Sequence, residues 1–215
     1  MLDTVYYISQ GETVEEHLLN IKNVCEAGVG LVQLRLKGLA ESDLILAAEA
    51  AQAICDRFDA KLIINDNVAV AKNVNAYGVH LGLGDSSVKE ARKMLGVDFK
   101  IGGTANTFDD CLKQIRGGVD YIGLGPYRFT NTKKNLSSIL GIEGYNHIVC
   151  KLQKAGFDIP IYAIGGIRID DLLLLRKTKV YGVALSSELS GSTCDDRNQK
   201  CIELRKSFPL PDQTL

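Results

Sequence analysis

The chain has 215 residues, enough for one sizeable domain with a substantial core or for two small ones. Its 25 basic and 26 acidic residues nearly cancel, so bulk charge points to no nucleic-acid partner. No apolar run approaches the ~20 residues that span a bilayer, and the start, MLDTVYYISQGE, lacks the basic and apolar segments of a secretory signal. The expectation is a cytoplasmic protein that meets no membrane and binds small molecules. Six scattered cysteines (Cys25, Cys55, Cys111, Cys150, Cys194, Cys201) form no C-x-x-C pair, and His17, His80 and His147 are the only histidines. That disfavours a disulfide frame or a zinc centre and favours ordinary buried thiols.

In chain order, short β-rich runs alternate with helical patterns. Val5–Ser9 reads as a strand, and Thr13 with Glu16 forms a capping box before a helix striped by Leu18, Ile21 and Cys25. Leu31–Lys37 is the second strand, and Leu44, Ala47, Ala48, Ala51, Ile54, Cys55 and Phe58 then recur at helical spacing. Lys61–Asn65 is the third strand, before a short helix from Val68 to about Val74. Tyr77–Gly82 is the fourth, with Ser87 and Glu90 capping the next helix. Phe99–Gly103 is the fifth, followed by a helix that starts at Thr107 with Asp110. Asp120–Gly125 is the sixth, with a helix over roughly Tyr145–Ala155. Pro160–Gly165 and Val180–Ser186 are the seventh and eighth, with helices at Asp171–Lys177 and roughly Asp195–Ser207.

Eight strand–helix units with short connections and no linker predict one α/β domain over residues 1–215, a (β/α)8 TIM barrel. Its active site is then expected at the C-terminal ends of the strands. The rival is an open doubly wound sheet, which often carries a G-x-G-x-x-G turn that this chain lacks.

Polar residues gather where the strands end. In LVQLRLK, alternation sets Val32, Leu34 and Leu36 against helices and Gln33, Arg35 and Lys37 on the opposite face, toward the barrel and its mouth. Two cations there call for an anion; the bland alternative is the solvated face of an edge strand. Asp66 and Asp85 each lie just past a strand end, on neighbours ~4.8 Å apart, and suit Mg2+ better than zinc. Turn or helix-cap roles remain open for both. His80 reads equally as a satisfied core histidine or a ligand contact.

VDYIGLGPYRFTNTKK (Val119–Lys134) ends a strand in glycines and proline and opens into threonines and lysines, a composition suited to an anion. An ordinary strand and polar turn would look similar. Gly165-Gly166 and Ser186-Ser187 follow strands seven and eight, the recurrent phosphate position of this fold, although a helix cap explains either serine almost as well. The mouth thus offers one cation-rich and one backbone-rich anion site, matching a reaction between two phosphorylated small molecules.

VQLRLKG, LIINDN, GVHLG with Asp85, IGGT, DYIGLGPYRFTNTKK, IPIYAIGGI and GVALSS together resemble, in order and spacing, the thiamine phosphate synthase family. The resemblance runs from about Val5 to Ser190. It implies a (β/α)8 barrel that joins hydroxymethylpyrimidine diphosphate to hydroxyethylthiazole phosphate, releasing diphosphate first. By the same resemblance, Arg35, Lys37, Asn65 and Lys133 hold the diphosphate, and Asp66 and Asp85 hold Mg2+. Gln33, His80 and Thr104 meet the pyrimidine, and Thr130 and Thr132 lie in a closing loop. Gly166 with the backbone around Leu185 and Ser186 meets the thiazole phosphate. Arg35, Lys37 and Lys133 are the expected catalytic groups. Leu36, Leu83, Asn106 and Phe129 depart from the usual Glu, Gln, His and Pro. Two alternatives stay open: a thiazole tautomerase-like homologue, disfavoured by Asp66, Asp85 and His80 together, and a non-catalytic binder of thiazole or thiamine phosphate. A homo-oligomer is compatible with the sequence, which does not specify one.

Overall fold

The computed structural model describes residues 2–129 and 138–210. Strands and helices alternate as β1 (Val5–Ile8), α1 (Val14–Glu26), β2 (Leu31–Leu34), α2 (Glu41–Arg57), β3 (Lys61–Asn65), α3 (Val68–Asn73), β4 (Gly78–Leu81) and α4 (Val88–Leu95). There follow β5 (Lys100–Ala105), α5 (Phe108–Gly117), β6 (Tyr121–Leu124), α6 (Gly141–Lys154) and β7 (Ile161–Ala163). A 3-10 turn (Ile169–Asp171), α7 (Leu172–Lys177), β8 (Gly182–Leu185) and α8 (Cys194–Ser207) complete the order. Each strand pairs in parallel with the next. β8 returns to β1 through Val5↔Val183 and Tyr6↔Ala184, closing a (β/α)8 barrel. The β1–β8 ladder removes the open-sheet alternative and, with it, any solvated edge strand.

The caps follow the sequence signals, with one correction. Ser87/Glu90 and Thr107/Asp110 form complete capping boxes, whereas the expected Thr13/Glu16 box is half made. Thr13 Oγ1 accepts from the Glu16 amide at 3.2 Å, but the Glu16 carboxylate takes the Glu12 amide at 2.7 Å instead. Thr193 caps α8, so Ser186 and Ser187 are not helix caps; they lie in the turn that follows β8.

Several expected boundaries are corrected: α6 begins at Gly141 rather than Tyr145, and the correction that bears on the site is the early end of β2. The last ladder pair of β2 is Leu34↔Ile64. Beyond it the Arg35 amide turns to the Ser9 hydroxyl at 2.9 Å instead of continuing the sheet. Arg35 and Lys37 are therefore loop residues above the barrel rather than strand residues within it. β5 runs on to Ala105, which puts Thr104 on a strand, whereas β7 and β8 are shorter than expected. Four cysteines are buried as expected, but Cys150 and Cys194 are exposed.

Alternation divides the apolar residues into two cores. Val32, Leu34, Ile64, Val79, Ile101, Ile122 and Leu124 pack outward between strands and helices. Tyr6, Leu31, Ile63, Tyr121, Tyr162 and Ala184 fill the barrel itself. There Tyr6, Tyr121 and Tyr162 meet edge to face with ring centroids 5.4–5.9 Å apart. Gly102 makes room for the Tyr121 ring, which any Cβ at that position would strike.

Candidate active site

A chain of hydrogen bonds crosses the barrel just beneath its mouth. Gln33, on β2 and buried, donates from Nε2 to the Tyr6 hydroxyl at 2.5 Å. Tyr6 and Tyr121 share a hydroxyl–hydroxyl bond of 3.0 Å. Tyr121 Oη lies 3.3 Å from His80 Nδ1, and His80 Nε2 lies 3.1 Å from Thr104 Oγ1. Burial raises the pKa of both phenols above the ordinary tyrosine value, so each stays neutral and able to donate and accept. The three expected pyrimidine contacts, Gln33, His80 and Thr104, thus belong to one network. Tyr6 and Tyr121, which link them, were missed because each reads in sequence as an ordinary strand aromatic. Gly123 gives His80 its space: a Cβ there would lie 3.0 Å from His80 Cε1.

Beside this network stand the charged groups. Arg35 is half-buried; burial lowers its guanidinium pKa, an effect opposed by Asp66. Lys37 Nζ lies 3.6 Å from Asp66 Oδ2. Asp66 follows β3 in a left-handed conformation (φ 62°), with its amide bonded to the His80 carbonyl at 2.9 Å. Asn67, not Asp66, caps α3. Asp85 accepts from the Gly82 amide at 2.6 Å, and Ser87, not Asp85, caps α4. The helix-cap alternatives for the two aspartates therefore fall away.

The Asp66 pKa is raised, first by burial and then by the facing Asp85 carboxylate, with Lys37 and Asn65 working in the opposite direction. Two carboxylates held together at such a cost suit a hard divalent cation. Among the described residues no group of three or more His, Cys, Asp or Glu could hold a metal. The protein would supply two oxygen ligands, leaving the rest to water and substrate oxygens, a donor set that fits Mg2+.

Across the mouth, Ile164-Gly165-Gly166 turns after β7 with φ of 87° at Gly165 and 72° at Gly166, values that favour glycine. Leu185 ends β8 with its side chain in the outer core, and Ser186 Oγ bonds Gln10 Oε1 at 3.1 Å. Of the departures from the family pattern, Leu36 packs on the outer core as expected, and Asn106 donates to the Gly125 carbonyl. Leu83 and Phe129 are exposed. Thr130, Thr132, Lys133 and Lys134 lie outside the described residues.

A family model described as thiamine monophosphate synthase matches residues 5–189. The chain is 45% identical over 192 residues to the thiamine-phosphate synthase of Flavobacterium johnsoniae, covering 89% of this chain and 91% of that protein. It is 46% identical to the enzyme of that name from Flavobacterium psychrophilum, over 89% and 93% of the two chains. Among solved structures it resembles a thiamine phosphate pyrophosphorylase from Pyrococcus furiosus, with a TM-score of 0.80, 27% identity and 95% of each chain covered. With its barrel, its paired carboxylates and its polar network in place, the chain belongs to the thiamine monophosphate synthase family.

Proposed function

We propose that this chain, as a single domain, is a transferase of thiamine biosynthesis. It joins 4-amino-2-methyl-5-hydroxymethylpyrimidine diphosphate to 4-methyl-5-(2-hydroxyethyl)thiazole phosphate, giving thiamine phosphate and diphosphate. The observation that carries this reading is the juxtaposition of the Gln33–Tyr6–Tyr121–His80–Thr104 network with Asp66, Asp85, Arg35 and Lys37. A neutral, hydrogen-bonding floor beside a charged rim matches a heterocycle carrying a diphosphate.

With one Nε2 hydrogen committed to Tyr6, Gln33 retains a carbonyl oxygen and a second N–H. That adjacent acceptor and donor match the amino group and ring nitrogen of an aminopyrimidine edge. Arg35, Lys37 and Asn65, with Lys133 from the 130–137 segment, take the diphosphate oxygens. Mg2+ held by Asp66 and Asp85 would neutralise further charge on the leaving diphosphate. No nucleophile or general base is required of the protein. Diphosphate departs with the electrons of the C–O bond, the aminopyrimidine delocalises the methylene cation, and the thiazole nitrogen closes the new C–N bond. The protein contributes leaving-group stabilisation and alignment of the two rings. Gly166 and the backbone around Leu185 and Ser186 hold the thiazole phosphate across the mouth.

Asp66, Asp85 and His80 in one cluster favour the synthase over the tautomerase-like reading, and a silent binder would need none of the three. Among the described residues no helix is long and apolar enough to cross a membrane, in keeping with a cytoplasmic enzyme. The deciding experiment mixes both substrates with Mg2+ and follows thiamine phosphate and diphosphate in equal amounts. Folded, Mg2+-loaded protein that forms neither would overturn the reading.

A further inference from the structure

Among the described residues, Arg128 is a strongly anchored cation at the mouth that the mechanism leaves unused. Its Nη1 and Nη2 each lie 2.6 Å from a different oxygen of Asp171, which is buried. Nη1 also donates to the Gly166 carbonyl at 2.8 Å, and the guanidinium sits 5.0 Å over the Tyr127 ring. Asp171 in turn accepts from the Arg168 amide at 2.8 Å, on the far side of the glycine turn. The guanidinium is therefore neutralised in place by a fork-to-fork pair. It acts on the turn and not as a free charge for an anion.

The same short stretch takes three carbonyls in succession. The Tyr127 amide bonds the Ile164 oxygen at 2.9 Å, the Arg128 amide bonds the Gly165 oxygen at 3.1 Å, and the Arg128 side chain bonds the Gly166 oxygen. In a trans peptide the N–H points opposite to its C=O. Fixing these three carbonyls toward residues 127–128 therefore directs the N–H groups of Gly165, Gly166 and Ile167 away from them, as a row of donors. The packing is tight: a Cβ on Gly166 would lie 2.5 Å from Arg128 Cγ.

We propose that Arg128 and Asp171 are positioning residues for the monophosphate-bearing substrate. By holding the carbonyls on one side of the Gly165-Gly166 turn, they present its amides to the phosphate on the other. The identity of that substrate rests on the function proposed above; the orientation of the amides does not.

The test compares wild type with Arg128→Met, which keeps the length of the stem, and with the milder Asp171→Asn. In steady-state kinetics with each substrate varied, both variants should raise KM for the thiazole phosphate about tenfold, equivalent to about 1.4 kcal/mol. KM for the pyrimidine diphosphate should stay within about twofold, and the thiazole alcohol lacking phosphate should be used as well as by wild type. Arg128→Lys, which can pair with Asp171 but cannot reproduce the fork, should fall between. Independently of activity, titration with inorganic phosphate should shift the Gly165, Gly166 and Ile167 amide resonances in wild type and not in the folded variants. Parallel changes in both KM values, or no change in either, would overturn the proposal. So would wild-type amides that ignore phosphate, or variants that respond like wild type. An inactive wild type whose amides respond in this Arg128-dependent way would refute the proposed reaction and leave the clamp standing.

Discussion

Asp85 is exposed and accepts one hydrogen bond from the Gly82 amide, so removing it takes little from the fold. Asp85→Ala should keep the circular dichroism spectrum and lose no more than about 1 kcal/mol of stability. Its Mg2+-dependent turnover should fall by about 10²–10³-fold, as expected if Asp85 holds the Mg2+ that would neutralise charge on the leaving diphosphate. Turnover equal to wild type across a Mg2+ titration would remove Asp85 from the metal site. His17 belongs to a different network. Its Nε2 donates to the Gly11 carbonyl at 3.1 Å, so Nδ1 accepts from the Ser9 hydroxyl at 2.7 Å, and Ser9 receives the Arg35 amide. Burial lowers the His17 pKa from 6.5, the Gly11 bond opposes this, and Arg35 adds to the lowering. A depressed folded value means stability present above 6.5 that is lost as pH falls through the folded value. His17→Asn should cost about 1 kcal/mol near pH 8. Its Tm should also change less than that of wild type between about pH 8 and about pH 5.5; an equal slope would show that His17 does not carry this dependence. That Gln33, Arg35, Lys37, Asp66 and Asp85 gather at the strand ends of the mouth was legible from alternation and chain position, whereas His80 read equally as a core histidine until the family resemblance singled it out. Tyr6, Tyr121 and Arg128 were not legible, since a tyrosine in a strand and an arginine in a loop have many structural uses.

At the scale of the elements, the glycines on β5 and β6 tune the interior more than the strands themselves. Gly102 faces the Tyr121 ring, and a side chain there overlaps carbons that have nowhere to retreat. Gly102→Ala should destabilise by about 1–3 kcal/mol, read from chemical denaturation. Gly123 faces His80 at a distance the ring can accommodate by a small shift. Gly123→Ala should therefore change stability less than Gly102→Ala while raising KM for the pyrimidine diphosphate several-fold. If Gly123→Ala alters only stability, His80 does not contact that substrate. Alternation made the facing of Val32 and Leu34 readable in advance. It could not reveal where β2 stops, because the stop depends on the Ser9 hydroxyl, 26 residues away, capturing the Arg35 amide.

For the whole molecule, closure of the barrel brings Asp3 and Thr4, just before β1, against α8 and Phe208. Asp3 accepts from Arg205 of α8 through both oxygens and also from the Val5 and Gly30 amides. Thr4 Oγ1 donates to the Phe208 carbonyl at 2.6 Å. Asp3 is 10% and Arg205 29% exposed at the side chain, so Arg205→Ala leaves a largely buried carboxylate short of its cation. The expected cost is about 2–4 kcal/mol in urea denaturation, with kcat and both KM values of the folded enzyme unchanged. A neutral effect on stability would show that the backbone amides alone satisfy Asp3.

The sequence alone determined the alternation of eight strands with eight helices, the starts of the helices capped at Thr13, Ser87 and Thr107, and the charged residues that lie just past the ends of β2, β3 and β4. Each of these follows from local physics: a period of two or 3.6, a capping side chain, or a charge beside a strand end. The tertiary structure decided which neutral groups connect those residues. The hydroxyl chain from Gln33 to Thr104 spans strands far apart in sequence, and the Arg128–Asp171 pair joins loops that follow β6 and β7. Both depend on closure of the barrel and on the register of neighbouring strands, neither of which is encoded within a short window of sequence.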